Sequence, residues 1–196
     1  LEHCGTDVEV TDHADTVRRA GKLILPGVGA FGDCSKALAA KGLDTAIADY
    51  IKSGKLFLGI CVGMQIMFDT GEEFGTHKGL GIIPGKVTLI PGKGTDGTPH
   101  KIPHIGWSPL LKPRYSPSWG ETILAPLDQL AEPASTYFVH SYMGVPKNPE
   151  HLLAEADYDG VRICAAVKKD NAYGFQFHPE KSGELGLGIL RSFLAA

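Results

Sequence analysis

An α/β three-layer fold with an open mixed β-sheet flanked by helices is predicted for this chain by three observations. β-like and α-like segments alternate through its first half, shorter strand-like segments crowd its second half, and glycine-bracketed turns follow two early apolar runs. Element by element, Asp7 to Thr11 reads as a strand, Ala14 to Ala20 as a short helix, and Lys22 to Leu25 as a buried strand ending at Pro26. Residues 33 to 53 read as helical, because Leu38, Leu43, Ile47 and Ile51 recur at roughly helical spacing and Ser53-Gly54 supplies a stop. Lys55 to Ile60 is the central strand. Beyond it, Gly79 to Ile90, Ile102 to Trp107, Ser135 to Val139, Leu152 to Tyr158, Ile163 to Lys168 and Ala172 to Phe177 read as shorter, antiparallel-tolerant strands, and Gly183 to Leu194 as the last helix. Ligands of open α/β sheets bind beyond the carboxyl ends of strands. Both Cys61 and the loop Pro26-Gly27-Val28-Gly29 follow strands at that end.

Composition sets the bounds. With 196 residues, 43% hydrophobic and 21% charged, the chain can bury one sizeable core, and a single domain spanning 1–196 is expected. A net charge of −3 gives no nucleic-acid footprint, since phosphate polymers are bound by clustered Lys and Arg. The basic pair Lys168-Lys169 reads as a solvated strand end or hairpin. The longest apolar run, Leu56 to Phe68, has 13 residues, short of the ~20 needed to span a bilayer. Cys4, Cys34, Cys61 and Cys164 are widely spaced, and the eight histidines lack ligand spacing, so no metal, cofactor or redox dithiol is expected. A cytoplasmic, reducing location suits a catalytic thiol.

The stretch Gly59-Ile60-Cys61-Val62-Gly63-Met64-Gln65-Ile66 carries the chemistry, because it sets a cysteine between two glycines straight after the apolar run Leu56-Phe57-Leu58. That is the layout of a nucleophile elbow, where a strand turns sharply into a helix and small neighbours let the two arms approach. A thiol there faces a helix N-terminus, whose N–H groups and dipole favour the thiolate. A buried core cysteine is the competing reading, and a second motif decides between them. In Phe175-Gln176-Phe177-His178-Pro179-Glu180 an alternating apolar strand ends in a histidine with a carboxylate two positions on. Residues i and i+2 of an extended segment point the same way. Glu180 can then hold one ring nitrogen of His178 and leave the other for the thiol, which gives Cys61, His178 and Glu180 the roles of a triad.

Amide hydrolysis by such a triad develops negative charge on the carbonyl oxygen, which preorganised N–H donors stabilise. The Val62 N–H is one candidate donor, and Val28 or Gly29 of the glycine-rich loop the other. The loop also fits a plain strand-to-helix turn. Gln65 lies one helical turn from Cys61, so its amide can face the same pocket.

On these residues the chain resembles the class I (triad) glutamine amidotransferases, which have a flavodoxin-like fold. Leu25-Pro26-Gly27-Val28-Gly29-Ala30-Phe31-Gly32-Asp33, Gly59 to Gln65, Pro103-His104-Ile105-Gly106-Trp107 and Tyr137-Phe138-Val139-His140-Ser141-Tyr142 resemble, within that class, the glutaminase subunits of imidazole glycerol phosphate synthase. The resemblance runs from about residue 7 to the C-terminus. It implies hydrolysis of L-glutamine to glutamate and ammonia, and delivery of the ammonia to a separate (β/α)₈-barrel cyclase in histidine biosynthesis. It makes the Pro26 to Gly29 loop the oxyanion strand and assigns substrate binding to Gln65, Glu73, Ser141 and Tyr142. Glu73 equally fits a surface helix-end acid. Trp107, Tyr137 and Lys181 match interface positions. Ser108 stands where asparagine is usual. Leu1-Glu2-His3-Cys4-Gly5 reads as the tail of the family's first helix, so a preceding strand is expected in the intact protein. A catalytically silent scaffold of the same fold would have lost a triad residue, and a pyridoxal phosphate synthase glutaminase would lack Pro103 to Trp107.

Overall fold

The structure, a computed structural model, describes residues 1–115, 118–130 and 132–196. After a 3₁₀ turn at Glu2–Cys4, the chain forms α1 (Ala14–Arg19), β1 (Leu23–Gly27), α2 (Phe31–Ala40), α3 (Leu43–Lys52), β2 (Phe57–Cys61) and α4 (Val62–Ile66). Then come β3 (Phe68–Gly71), β4 (His77–Lys78), β5 (Ile83–Leu89), β6 (His104–Leu111), β7 (Ser135–His140) and β8 (Tyr142–Pro146). The chain closes with β9 (Leu152–Tyr158), β10 (Val161–Lys169), β11 (Ala172–Phe175) and α5 (Gly183–Ala195).

Seven strands make one mixed sheet in the order β1-β2-β11-β10-β9-β6-β7, and β4-β3-β5-β8 make a second, four-stranded sheet. β2 pairs in parallel with both β1 and β11, whereas every pairing from β11 outward to β7 is antiparallel. The far edge curls back, so that the His178 N–H donates to the Tyr137 carbonyl of β7 at 2.9 Å. β2 is buried at all five residues because helices and the second sheet cover both its faces. Its side chains alternate between two cores. Leu58 and Ile60 pack with Phe175, Phe177, Ile189 and Phe193 on the α5 side. Phe57 packs with Val17, Ile47, Tyr50 and Met67 on the other.

Several boundaries differ from the sequence reading, each for a physical reason. Residues 7 to 11 form no strand: Val8 is 40% exposed and Val10 97%, and without a neighbouring strand their alternation has no face to bury. The helical stretch 33–53 is two helices, broken where Gly42 takes a left-handed φ of 64°. Strand structure in 79–90 is confined to β5, and the strand expected from Ile102 begins at His104 and runs on to Leu111. β11 stops at Phe175, two residues before the expected end. The second sheet was not foreseen, because β3, β4 and β8 are short and take their order from tertiary packing. Lys168 and Lys169 do end a hairpin strand, with Asp170 turning at φ 52°.

Candidate active site

The carboxyl ends of β1 and β2 lie side by side, with Gly27 paired to Cys61. Cys61 adopts φ 55° and ψ −114°, a conformation that costs a substituted residue about 1–3 kcal/mol and that marks an elbow. The elbow closes only because its neighbours lack side chains. A Cβ on Gly63 would sit 1.9 Å from the Leu25 carbonyl oxygen, and one on Gly59 would sit 2.6 Å from the Gly63 carbonyl oxygen. A Cβ on Gly27 would meet the Gly63 nitrogen at 2.7 Å. α4 is thereby pressed onto β1 and β2, with Val62 at its first position.

His178 comes to Cys61 from the segment after β11. Its Nδ1 lies 2.7 Å from Glu180 Oε1, while its Nε2 is buried without a hydrogen-bond partner and is the nitrogen left for the thiol. The ring pKa is pushed up to about 9, first by Cys61, then by Glu180, against the opposing effect of burial. Burial raises the pKa of the Glu180 carboxyl, but its hydrogen bond and charge interaction with His178 outweigh that and lower it on balance. The two residues meet differently from the extended i, i+2 geometry expected: Pro179–Lys181 is a 3₁₀ turn, which folds the carboxylate back onto the ring. Ser182 secures that turn. Its hydroxyl donates to the His178 carbonyl at 2.7 Å and accepts the Tyr137 N–H at 3.0 Å.

The loop after β1 lies against the elbow. Val28 is 81% exposed, and its carbonyl accepts the Cys34 thiol at 3.4 Å. Gly29, at φ 105°, therefore directs the N–H of that trans peptide away from Cys34. Burial, then the charges of Asp33, Glu73 and Cys61, raise the Cys34 pKa.

The expected substrate-binding residues divide. Gln65 is 4% exposed, and its Nε2 donates to the Tyr142 carbonyl at 3.1 Å and to Gln176 Oε1 at 2.9 Å. Tyr142 follows the bend at Ser141 and is thus anchored to α4 through its backbone. Glu73 Oε2 accepts the Phe31 N–H at 2.7 Å, capping α2, and lines a cleft of about 220 Å³ with Lys36, Phe74 and His77. Trp107, Tyr137 and Lys181 gather together. The Trp107 and Tyr137 rings meet edge-on at 6.0 Å, and Lys181 Nζ lies 5.9 Å from the Tyr137 ring centre. Trp107 and Ile105, alternate residues of β6, are each 57% exposed on the same face.

Gln176, Ser182, His104 and His140 are buried polar residues to which the sequence assigns no role. Gln176 precedes His178 by two positions, so the strand alternation that placed the histidine also points Gln176 toward the thiol. Its Nε2 is 3.8 Å from Cys61 Sγ. Ser182 carried no signal. His104 and His140 pair across β6 and β7 at 3.2 Å, with His104 on the Ser108 hydroxyl at 3.0 Å and His140 Nδ1 on the Tyr142 carbonyl at 2.8 Å. That pairing depends on strand register, which the sequence does not announce. Among the described residues no group of three or more His, Cys, Asp or Glu is placed to hold a metal ion, and no helix is long and apolar enough to cross a membrane.

The arrangement can perform thiol-mediated acyl transfer, and comparison with known proteins narrows the acyl donor. Residues 1–196 match the family model for class-I glutamine amidotransferases. Imidazole glycerol phosphate synthase subunit HisH 1 of Legionella pneumophila (strain Lens) is 46% identical over 196 residues, covering 99% of this chain and 90% of the relative. The HisH subunit of Syntrophotalea carbinolica is 46% identical over 194 residues, covering 98% and 90%, and that of Geobacillus thermodenitrificans 43% identical over 194 residues, covering 99% and 86%. Among solved structures, a glutamine amidotransferase superposes with a TM-score of 0.69 at 15% identity over 100% of this chain and 88% of its own. PurLQS from Thermotoga maritima gives 0.63 at 23% identity over 89% and 79%. At those identities the likeness shows the fold alone.

Proposed function

The chain belongs to the class-I glutamine amidotransferases, among the HisH subunits of imidazole glycerol phosphate synthase, and from that premise we propose that Cys61, His178 and Glu180 are its catalytic triad. It is a glutaminase that hydrolyses glutamine in histidine biosynthesis. The observation that carries the site assignment is the strained Cys61 backbone beside a histidine whose remaining nitrogen is buried and unpartnered.

The Cys61 thiolate attacks the δ-carbonyl carbon of L-glutamine, forming an S–C bond and moving the carbonyl π-pair onto oxygen. Backbone N–H groups of Val62 and of the Val28-Gly29 loop hold that oxyanion. The tetrahedral intermediate collapses as the C–N bond breaks, and His178 gives the leaving nitrogen its proton, releasing ammonia. The same imidazole, now neutral, takes a proton from water, which attacks the thioester. Glutamate leaves, and the thiolate and imidazolium are restored. Glu180 holds the ring tautomer throughout. Gln65, Glu73, Ser141 and Tyr142 bind the amino-acid end of the substrate.

Ammonia released into water would be protonated and lost as a nucleophile, so the site works docked to an acceptor. We assign that role to a separate (β/α)₈-barrel cyclase, seated on the face that carries Trp107, Tyr137 and Lys181. A cytoplasmic setting belongs to the same reading, since it keeps the four free thiols reduced. The test is glutamate release by wild type and Cys61→Ser, each alone and mixed with a cyclase subunit and its ribonucleotide ligand. Activity in the wild-type mixture alone supports a partner-gated triad. Undiminished activity of Cys61→Ser would remove the thiol from the mechanism.

A further inference from the structure

We infer that Gln176 is a positioning residue for the nucleophile, its side-chain N–H aimed at the Cys61 sulfur so that the thiolate is held and favoured over the thiol. The inference rests on Cys61 being the nucleophile, and geometry carries it in three steps.

The first step fixes which end of the amide faces the sulfur. A backbone carbonyl can only accept, so the Tyr142 oxygen 3.1 Å from the Gln65 amide identifies the Gln65 atom there as nitrogen. The second N–H of that same nitrogen meets Gln176 at 2.9 Å, and the group it meets must be the Gln176 oxygen. With its oxygen held against Gln65, Gln176 turns its nitrogen toward Cys61, where it lies 3.8 Å from the sulfur. The orientation of a buried amide is thus set at Tyr142 and passed through two side chains to the thiol.

The second step concerns protonation. An amide N–H can donate to a thiolate, but a neutral thiol's proton finds no acceptor on that side, because the amide presents its nitrogen there and not its oxygen. The contact therefore discriminates between the two states of Cys61 in the direction catalysis needs. Donors aimed at a reacting atom are commonly long before substrate arrives and tighten afterwards.

The third step is rigidity. Gln176 is fully buried, and the rings of Phe175 and Phe177, its neighbours in sequence, stack at 4.7 Å between centres. The Gln176 N–H is also bonded to the Ala165 carbonyl at 2.9 Å. The segment that delivers His178 to one side of the sulfur therefore delivers a second, uncharged donor beside it, held by the bonds to Gln65 and Ala165.

The test follows the pH dependence of iodoacetamide alkylation at Cys61, located by peptide mass, in the chain bound to its cyclase subunit, for wild type, Gln176→Met and Gln176→Asn. Methionine keeps the volume and removes the donor; asparagine keeps the amide but falls short of the sulfur. The alkylation midpoint is expected to rise by about 0.5–1 pH unit in both, three- to tenfold less thiolate below the midpoint. Glutaminase kcat at pH 7 should fall by a similar factor with KM within twofold. A folded variant with an unchanged midpoint and kcat would overturn the inference and leave Gln176 as core filling only. If the methionine chain does not fold, the asparagine chain is read alone. Wild-type Cys61 alkylating no faster than Cys4 would instead overturn the assignment of the nucleophile, a different result from a reactive Cys61 indifferent to Gln176.

Discussion

His178 and Glu180 meet at 2.7 Å through Nδ1 and Oε1, across a turn that Ser182 closes and the Tyr137 backbone ties to the sheet edge. The carboxylate thereby fixes the tautomer that presents Nε2 to Cys61. Glu180→Gln keeps the shape and an acceptor oxygen but loses the carboxylate that, after Cys61, raises the ring pKa. Glutaminase kcat in the cyclase complex should fall roughly 10- to 100-fold with KM little changed. A loss confined to KM would place Glu180 in substrate binding.

Gly63 tests whether the elbow depends on close backbone approach. A methyl group there would lie 1.9 Å from the Leu25 carbonyl oxygen, backbone against backbone, with no flexible side chain to yield. Gly63→Ala should destabilise the chain by about 1–3 kcal/mol or more, as overpacking does. Gly21, whose added Cβ would meet nothing within 4 Å, is the control. Comparable urea midpoints for Gly63→Ala and Gly21→Ala would contradict the packing argument.

Two histidines give stability opposite pH dependences. His140 is almost wholly enclosed, and burial depresses its pKa to about 4. Its unfolded value is near 6.5, so between those values the unfolded chain binds the extra proton, and stability falls as pH drops from 6.5 through 4. His178 has its pKa raised to about 9, so the folded chain binds the extra proton. Its contribution is complete below 6.5 and is lost as pH rises through 9. Melting temperatures at pH 5, 7 and 9.5 should show both declines. His140→Gln should flatten only the acid side and His178→Gln only the alkaline side, and a slope unaffected by its own substitution would dissociate that histidine from it.

The sequence revealed what is local and withheld what is topological. Two glycines around Cys61 and the alternation leading to His178 suffice to announce the sharp strand-to-helix turn and a histidine beside a carboxylate, because each is a short-range backbone constraint. The bounds predicted for β9 are the observed ones, because its backbone pairs with β10 and β6 and Leu153, Ala154 and Ala156 are buried. Residues 7 to 11 carry the same alternation without a partner strand, and no strand forms. The His104–His140 pair and the bond from His178 to Tyr137 join residues 36 and 41 positions apart, through a register and a curl that only the assembled sheet sets. Gln176 lay within reach, since the rule that oriented His178 applies equally two residues earlier.

Trp107 should report partner binding without reporting stability. Its indole is 57% exposed and touches Tyr137 edge-on, while Ile105 extends the apolar stripe along β6. Neither supports the core, so Trp107→Ala should leave the melting temperature nearly unchanged. Burial of an aromatic anchor at the centre of an interface is worth about 2 kcal/mol, roughly thirtyfold in Kd for the cyclase subunit. Lys181 lies against Tyr137, so its removal should couple to Trp107→Ala in a double-mutant cycle rather than add. Because the Tyr137 carbonyl accepts from the His178 backbone, pressure on this strand reaches the base directly. Trp107→Ala should therefore reduce ligand-stimulated glutaminase turnover even at saturating cyclase. Full stimulation at saturation would mean that the tryptophan anchors the partner without helping to set the base.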